Sequence, residues 1–302
     1  MIKPKLSVVI NTKNGADTLE RTLKSVAFAD ELVLVDMHST DETQKIAKKF
    51  TKRIYQHDDL GYADPARNFA LSKASHAWIL VVDADEVVSE ELKKIILATI
   101  QAEAADVYWL PRKNLLFGQW IQHSGWWPDF QPRLFRRGSV SWQKGVHRLP
   151  DTQGKQVHFP VEEHYALVHY NYEDVTHFLE KLNNYTSIQA KERLVKTPKT
   201  DFSSHELLET FISEFSRRAM AMDGVRDGLH GISLSLLQAM YEVTIYLKQW
   251  GEQGFGPTRP ENLGKSLQKM QQIWGYWWAD YQVRHTRGVK KIYWQIRRKL
   301  KV

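Results

Sequence analysis

The sequence predicts an α/β fold, with a mostly parallel sheet in the first half of the chain and a helical region after it. Three patterns carry this expectation. Short, mainly apolar runs at residues 6–10, 32–36, 78–82 and 107–110 alternate with segments of helical period. The runs are apolar at successive rather than alternate positions, as in strands buried on both faces. Strand–helix–strand order then implies right-handed crossovers between parallel strands.

Taken in order, Leu6-Ser7-Val8-Val9-Ile10 is the first strand. Asp17 and Glu20 form a capping-box signal, and Leu19, Leu23 and Val26 share one helical face behind it. Leu32-Val33-Leu34-Val35-Asp36 is the second strand, and Ser39 with Glu42 repeats the capping signal ahead of Ile46 and Phe50. Asp64-Pro65 fits a cap followed by proline in the first turn, opening a helix that carries Arg67 and Asn68. Trp78-Ile79-Leu80-Val81-Val82 is a strand, Ser89 caps the next helix, and Val107-Tyr108-Trp109-Leu110 returns to strand. Residues 111–170 change to short strands and turns dense in Trp, Arg and His. From Glu173 the pattern is helical, with breaks near 196–204, 223–231 and 251–261. The division expected is residues 1–172, an α/β domain, and 173–302, a helical region.

Composition narrows the chemistry. There is no Cys, which excludes disulfides, thiolate catalysis and Cys-ligated zinc. Met1-Ile2-Lys3-Pro4-Lys5 leads into a strand without an apolar leader core, and no apolar stretch approaches the roughly 20 residues of a membrane span. A soluble or peripheral protein is expected. The net charge of +7 is uneven. No acid follows Asp280, whereas Arg284, Arg287, Lys290, Lys291, Arg297, Arg298, Lys299 and Lys301 do. Such an end suits phosphate-rich partners. Beside it, Trp274, Tyr276, Trp277, Trp278, Tyr281, Tyr293 and Trp294 suit either helix core or the headgroup level of a membrane.

The strand ends carry the polar residues. The first delivers Asn11-Thr12-Lys13-Asn14-Gly15, the second Asp36, and the run at 78–82 ends in Asp83-Ala84-Asp85-Glu86. Open α/β sheets bind ligands at these carboxyl ends. Carboxylates spaced like Asp83 and Asp85 suit Mg²⁺ or Mn²⁺ bridged to a diphosphate, and Arg67 suits a phosphate or a base carbonyl. Neither a dinucleotide-binding glycine motif nor a P-loop is present. His123, His147, His158, His164 and His169 are scattered, without a helical pair of ligand spacing.

Ser7-Val8-Val9-Ile10-Asn11-Thr12-Lys13-Asn14, Leu34-Val35-Asp36 with Ser39-Thr40-Asp41, Ala66-Arg67-Asn68, and Val82-Asp83-Ala84-Asp85-Glu86 together resemble family 2 glycosyltransferases of the GT-A fold. Trp127-Pro128-Asp129-Phe130-Gln131 with Arg133-Leu134-Phe135-Arg136, and the stretch from Asp223-Gly224 to Asp227-Gly228-Leu229-His230-Gly231, resemble the bacterial branch that builds lipopolysaccharide core. The resemblance implies a Rossmann-like catalytic domain in which Thr12, Asn14 and Asp36 contact the nucleoside and Arg67 orients the nucleotide. Asp83 would sit near ribose or metal, and Asp85 would ligate Mn²⁺ or Mg²⁺. It departs at Met37, where many relatives carry a second acid, and at Arg148, where relatives often have an acid after the Val-His pair.

The function so implied is inverting, metal-dependent transfer of a sugar from a nucleotide-sugar donor, a UDP-sugar first, to a glycan or glycolipid hydroxyl. The setting would be the inner face of a bacterial plasma membrane, with an anionic membrane surface and no nucleic acid as partner. The general base expected is Asp129, in a Trp-rich segment whose apolar walls would raise its pKa, with Glu162, Glu163 and His147 as alternatives. Competing readings are a sugar-phosphate nucleotidyltransferase, whose Gly-rich basic loop is missing from residues 11–17, and a nucleic-acid-binding protein using the basic end.

Overall fold

Residues 4–59, 64–143, 149–256, 258 and 262–300 are described by the structure, a computed structural model. The first part of the chain runs β1 (Leu6–Thr12), α1 (Ala16–Ser25), β2 (Glu31–Asp36), α2 (Thr43–Ala47), β3 (Ile54–Gln56), α3 (Asp64–Lys73) and β4 (Trp78–Asp83). There follow β5 (Glu86–Val87), α4 (Glu90–Ala102), β6 (Val107–Leu110), β7 (Arg112–Leu116) and β8 (Gln119–Trp120). Next come β9 (Gln131–Arg136), β10 (Val140–Ser141), β11 (Asp151–Thr152), β12 (Gln156–His158) and β13 (Leu167–Tyr172). The helices α5 (Val175–Lys196), α6 (Ser204–Ser216), α7 (Gly228–Glu252), α8 (Leu263–His285) and α9 (Gly288–Leu300) complete it. Two compact units result: Met1–Leu116 with Pro128–Asn171, and Phe117–Trp127 with Tyr172–Val302. The expected division at 172/173 did not contain the excursion at 117–127.

In the first unit the main sheet has the order β12-β6-β9-β4-β1-β2-β3. The pairs β1–β2, β1–β4, β2–β3 and β6–β12 are parallel, as the alternating pattern requires. β9 alone is antiparallel, inserted between β4 and β6. Burial on both faces explains the unbroken apolar runs: Val8 and Ile10 pack with Leu19, Leu92 and Ile96 on one side, and Val9 with Ala66 and Ala70 on the other. The strand order reverses at β1, so the carboxyl ends of β1, β2 and β4 open a crevice there.

Helix starts differ from the sequence expectation. Ser89 caps α4 as expected, its Oγ accepting from Leu92 N at 3.1 Å. Asp17 does not cap α1, whose N-cap is Gly15, and Ser39 does not cap α2. The donors at the start of α1 are instead satisfied from the loop after β2. Asn14 N donates to Ser39 Oγ (2.8 Å), Gly15 N to Thr43 Oγ1 (2.8 Å) and Ala16 N to Asp41 Oδ2 (3.1 Å). Tertiary caps between two loops replace two local ones.

The second unit is helical. Breaks fall as expected between α5 and α6, before α7 and after α7. No helix among the described residues is long and apolar enough to cross a membrane. Gly231, in the first turn of α7, has a packing role: a β-carbon there would lie 1.9 Å from Gly224 O. Gly231→Ala is therefore expected to destabilise the protein by about 1–3 kcal/mol of overpacking, read as a lower midpoint in a melting curve.

Candidate active site

The crevice is built from residues at the ends of three strands. Thr12 and Asp36 are register partners across β1 and β2, and Asn11 and Asp83 across β1 and β4. Asn11 and Thr12 are buried, and Asn11 Oδ1, Asn11 Nδ2 and Thr12 Oγ1 have no hydrogen-bond partner among the described residues. Buried polar atoms left this way are rare and are what a polar ligand would satisfy. Asp36 is fully buried and accepts from Gln44 Nε2 (2.8 Å), Gln56 Nε2 (3.0 Å) and Ser39 N (3.2 Å). Asn14 takes a left-handed φ of 48°, and its Oδ1 accepts from Thr40 N at 2.8 Å. It ties the loops after β1 and β2 together.

A second cluster joins the strand ends to β7 and β9. Arg67 Nη2 lies 2.7 Å from Asp83 Oδ1, and its guanidinium stands 5.5 Å from the ring centroid of Trp142. Arg133, buried on β9, ion-pairs with Asp83 and, at 2.7 Å, with the wholly buried Glu86. Glu86 also accepts from Asp83 N at 2.9 Å. Burial alone would push the Asp83 carboxyl up, but Arg133 and Arg67 hold it well below the usual carboxylate range. Burial likewise works against the charge on Arg133, and Asp83 and Glu86 outweigh it.

Asp129 has a left-handed φ of 22°. Its carboxylate receives Arg112 Nη2 (2.6 Å), Arg112 Nε (2.9 Å), Asn114 Nδ2 (3.0 Å) and Gln131 Nε2 (3.1 Å). The expected rise in its pKa is overturned. Burial does act upward, yet the Arg112 guanidinium and the Asn114 and Gln131 amides bring the carboxyl below its ordinary value. The neighbour that decides is a cation on β7, not the aromatic segment beside it in sequence. A cavity of about 300 Å³ brings Arg67, Asp83, Arg112, Asp129, Arg133 and Trp142 together.

Asp85 meets a residue the sequence had not joined to it. His169, on β13, holds Nε2 3.5 Å from Asp85 Oδ1, and its Nδ1 lies 2.6 Å from Asn114 Oδ1. Asn114 Nδ2 donates to the Asp129 carboxylate, which only accepts, so the amide carbonyl faces His169. His169 therefore donates from Nδ1 and turns Nε2 toward Asp85. With the distal N–H held as in histidines that ligate metals, this nitrogen and the Asp85 carboxylate are two groups that could ligate a cation, although no group of three or more such side chains occurs among the described residues. The two groups fit a hard ion that draws its other ligands from phosphate and water.

The remaining candidates lie apart. Glu162 and Glu163 are exposed and pair with His164 (3.6 Å) and with Lys113. His147 lies outside the described residues. His123 binds Asp227 (2.8 Å), and His158 stacks on Trp109. Sequence reasoning missed Arg112, Asn114 and Arg133. Their signal was present as polar pairs at period two, Arg112-x-Asn114 and Gln131-x-Arg133, in strands too short to read alone.

The model of Glycosyl transferase family 2 matches residues 7–152. A Rickettsia felis protein named as an uncharacterized glycosyltransferase is 31% identical over 212 residues, covering 65% of this chain and 72% of the relative. The chain belongs to family 2 of the glycosyltransferases. Among solved structures, this glycosyltransferase is similar to Staphylococcus aureus TarS 1–349 in complex with UDP, at 17% identity and a TM-score of 0.43, covering 85% of this chain and 94% of that one. It is also similar to glucosyl-3-phosphoglycerate synthase from Mycobacterium tuberculosis with Mn²⁺ and UDP-glucose, at 20% identity and a TM-score of 0.30, covering 37% and 43%. The matched family region contains every strand end that forms the crevice of the glycosyltransferase, and also Asp129.

Proposed function

We propose that the protein is an inverting, cation-dependent glycosyltransferase that moves a sugar from a nucleotide diphosphate, UDP first, to a hydroxyl of a lipid-linked glycan of lipopolysaccharide type at a membrane surface. The observation that carries the reading is the single cavity holding the donor-side residues Arg67 and Asp83 together with the ionised Asp129. The nucleoside is received at the end of β1 and β2, where the orphaned Asn11 and Thr12 atoms and the Asp36 carboxylate lie. Arg67 orients the diphosphate, itself held by Asp83 and Trp142. Asp85 and His169 would hold the cation, and an imidazole ligand suits Mn²⁺ better than Mg²⁺; the ion would stabilise charge on the departing diphosphate. Asp83 serves this arrangement through its arginines.

Asp129 takes the proton from the acceptor hydroxyl as that oxygen attacks the anomeric carbon. Arg112 keeps the carboxylate charged and aimed, at some loss of basicity. Direct attack from the face opposite the leaving group inverts the anomeric centre, which proton NMR of the product reads.

Binding tests the cation site before any turnover is measured. Titration of UDP calorimetrically should show an affinity that rises with Mn²⁺, and Asp85→Ala and His169→Ala should each remove that rise by about 10–100-fold in cation affinity. UDP binding indifferent to Mn²⁺ in the unaltered protein would defeat the cation-dependent part of the reading.

A further inference from the structure

Helix α9 is built inside out. At about 100° per residue, Val289, Ile292, Tyr293, Ile296 and Leu300 occupy one stripe about 100° wide. In a helix docked on a core this stripe would be covered. Here it is open: relative exposure is 83%, 57%, 51%, 55% and 64% in that order. The helix instead rests on α8 through its opposite side, where Trp294 meets Trp278 edge to face (6.3 Å) and Arg298 reaches Asp280 (2.7 Å). No residue of α9 is buried.

Charge frames the stripe. On the same projection Lys290 and Arg297 border one edge and Lys299 the other, and α9 contains no acid. An apolar band rimmed by cations matches the boundary between headgroups and acyl chains, where side chains of this kind enter while ammonium and guanidinium groups stay with lipid phosphates. Tyr293 on the stripe is the amphipathic aromatic common at that depth.

We propose that α9 is the membrane-docking element of this protein, lying in the plane of an anionic lipid surface with Val289, Ile292, Tyr293, Ile296 and Leu300 inserted. The helix has 13 residues, about 20 Å, so it lies on the bilayer and does not cross it. This deepens the membrane-surface part of the proposed function, and its test reads lipid retention, so either can fail without the other.

The full-length protein is floated with vesicles of phosphatidylcholine alone or mixed with phosphatidylglycerol. Retention on the mixed vesicles is expected, with about tenfold less on phosphatidylcholine and a decline as salt rises. Ile292→Ser with Ile296→Ser should reduce retention on mixed vesicles about tenfold or more with an unchanged melting midpoint, since neither side chain is buried. Lys290→Gln with Lys299→Gln should make mixed vesicles behave more like neutral ones. Undiminished retention of the isoleucine double variant would overturn the proposal. So would a dimer in lipid-free sedimentation that the same variant converts to monomer, because a second copy would then be the occupant.

Discussion

Arg133→Met should cost the catalytic unit about 3–5 kcal/mol of stability, the usual penalty for removing one partner of a buried ion pair. The guanidinium it deletes is enclosed and faces two carboxylates, one of which, Glu86, has no exposure at all. Without it Glu86 keeps Arg112 at 3.6 Å and Asp83 keeps Arg67, neither placed to serve both. A fall of roughly 10 °C in the unfolding midpoint is expected. Arg133→Lys should fall between the two, since an ammonium retains the charge but not the fork. An Arg133→Met protein that melts like the parent would show that this cluster does not hold the strand ends together. The pH dependence follows from the depressed Asp83 carboxyl: the stabilisation is complete above the ordinary carboxylate range and fades as acid drives the pH toward the lower folded-state value. Arg133→Met should therefore be less sensitive to acid than the parent.

The second large effect concerns Asp129. Asp129→Asn keeps the shape and the contact with Gln131 but removes the proposed proton acceptor, so kcat should drop by about 10²–10⁴ while the calorimetric affinity for UDP with Mn²⁺ changes little. The carboxyl is held below its usual value, so it stays ionised as the pH falls through the weakly acidic range. The acid limb of kcat/KM is expected below the ordinary aspartate range. A limb near neutrality, or a variant with normal turnover, would assign the base elsewhere.

The catalytic framework was legible because its evidence is local. Unbroken apolar runs declare strands buried on both faces, and the polar residues that end them, Thr12, Asp36 and Asp83, fall at the crevice by strand order alone. What stayed hidden depends on partners distant in sequence. The caps of α1 come from Ser39, Asp41 and Thr43, some 25 residues downstream. The His169–Asp85 approach is created by β13 pairing with β5, a strand of two residues that no periodicity reveals. The direction in which the Asp129 pKa moves was hidden for the same reason: its sequence neighbours are aromatic, but its spatial neighbour is Arg112. The exposed stripe of α9 was likewise invisible until its packing side was known, because an amphipathic pattern states that two faces differ without saying which one meets the protein.

The insertion of β9 has a consequence for biosynthesis. β6 joins β4 and β1 only through β9, which is made some twenty residues later. A nascent chain that has just emitted β6 therefore presents the outer edge of β4 with no neighbour, and that edge carries Trp78, Ile79 and Leu80. Unpaired apolar edges invite association with other chains. Until residues 131–136 arrive, that edge is thus open to other chains.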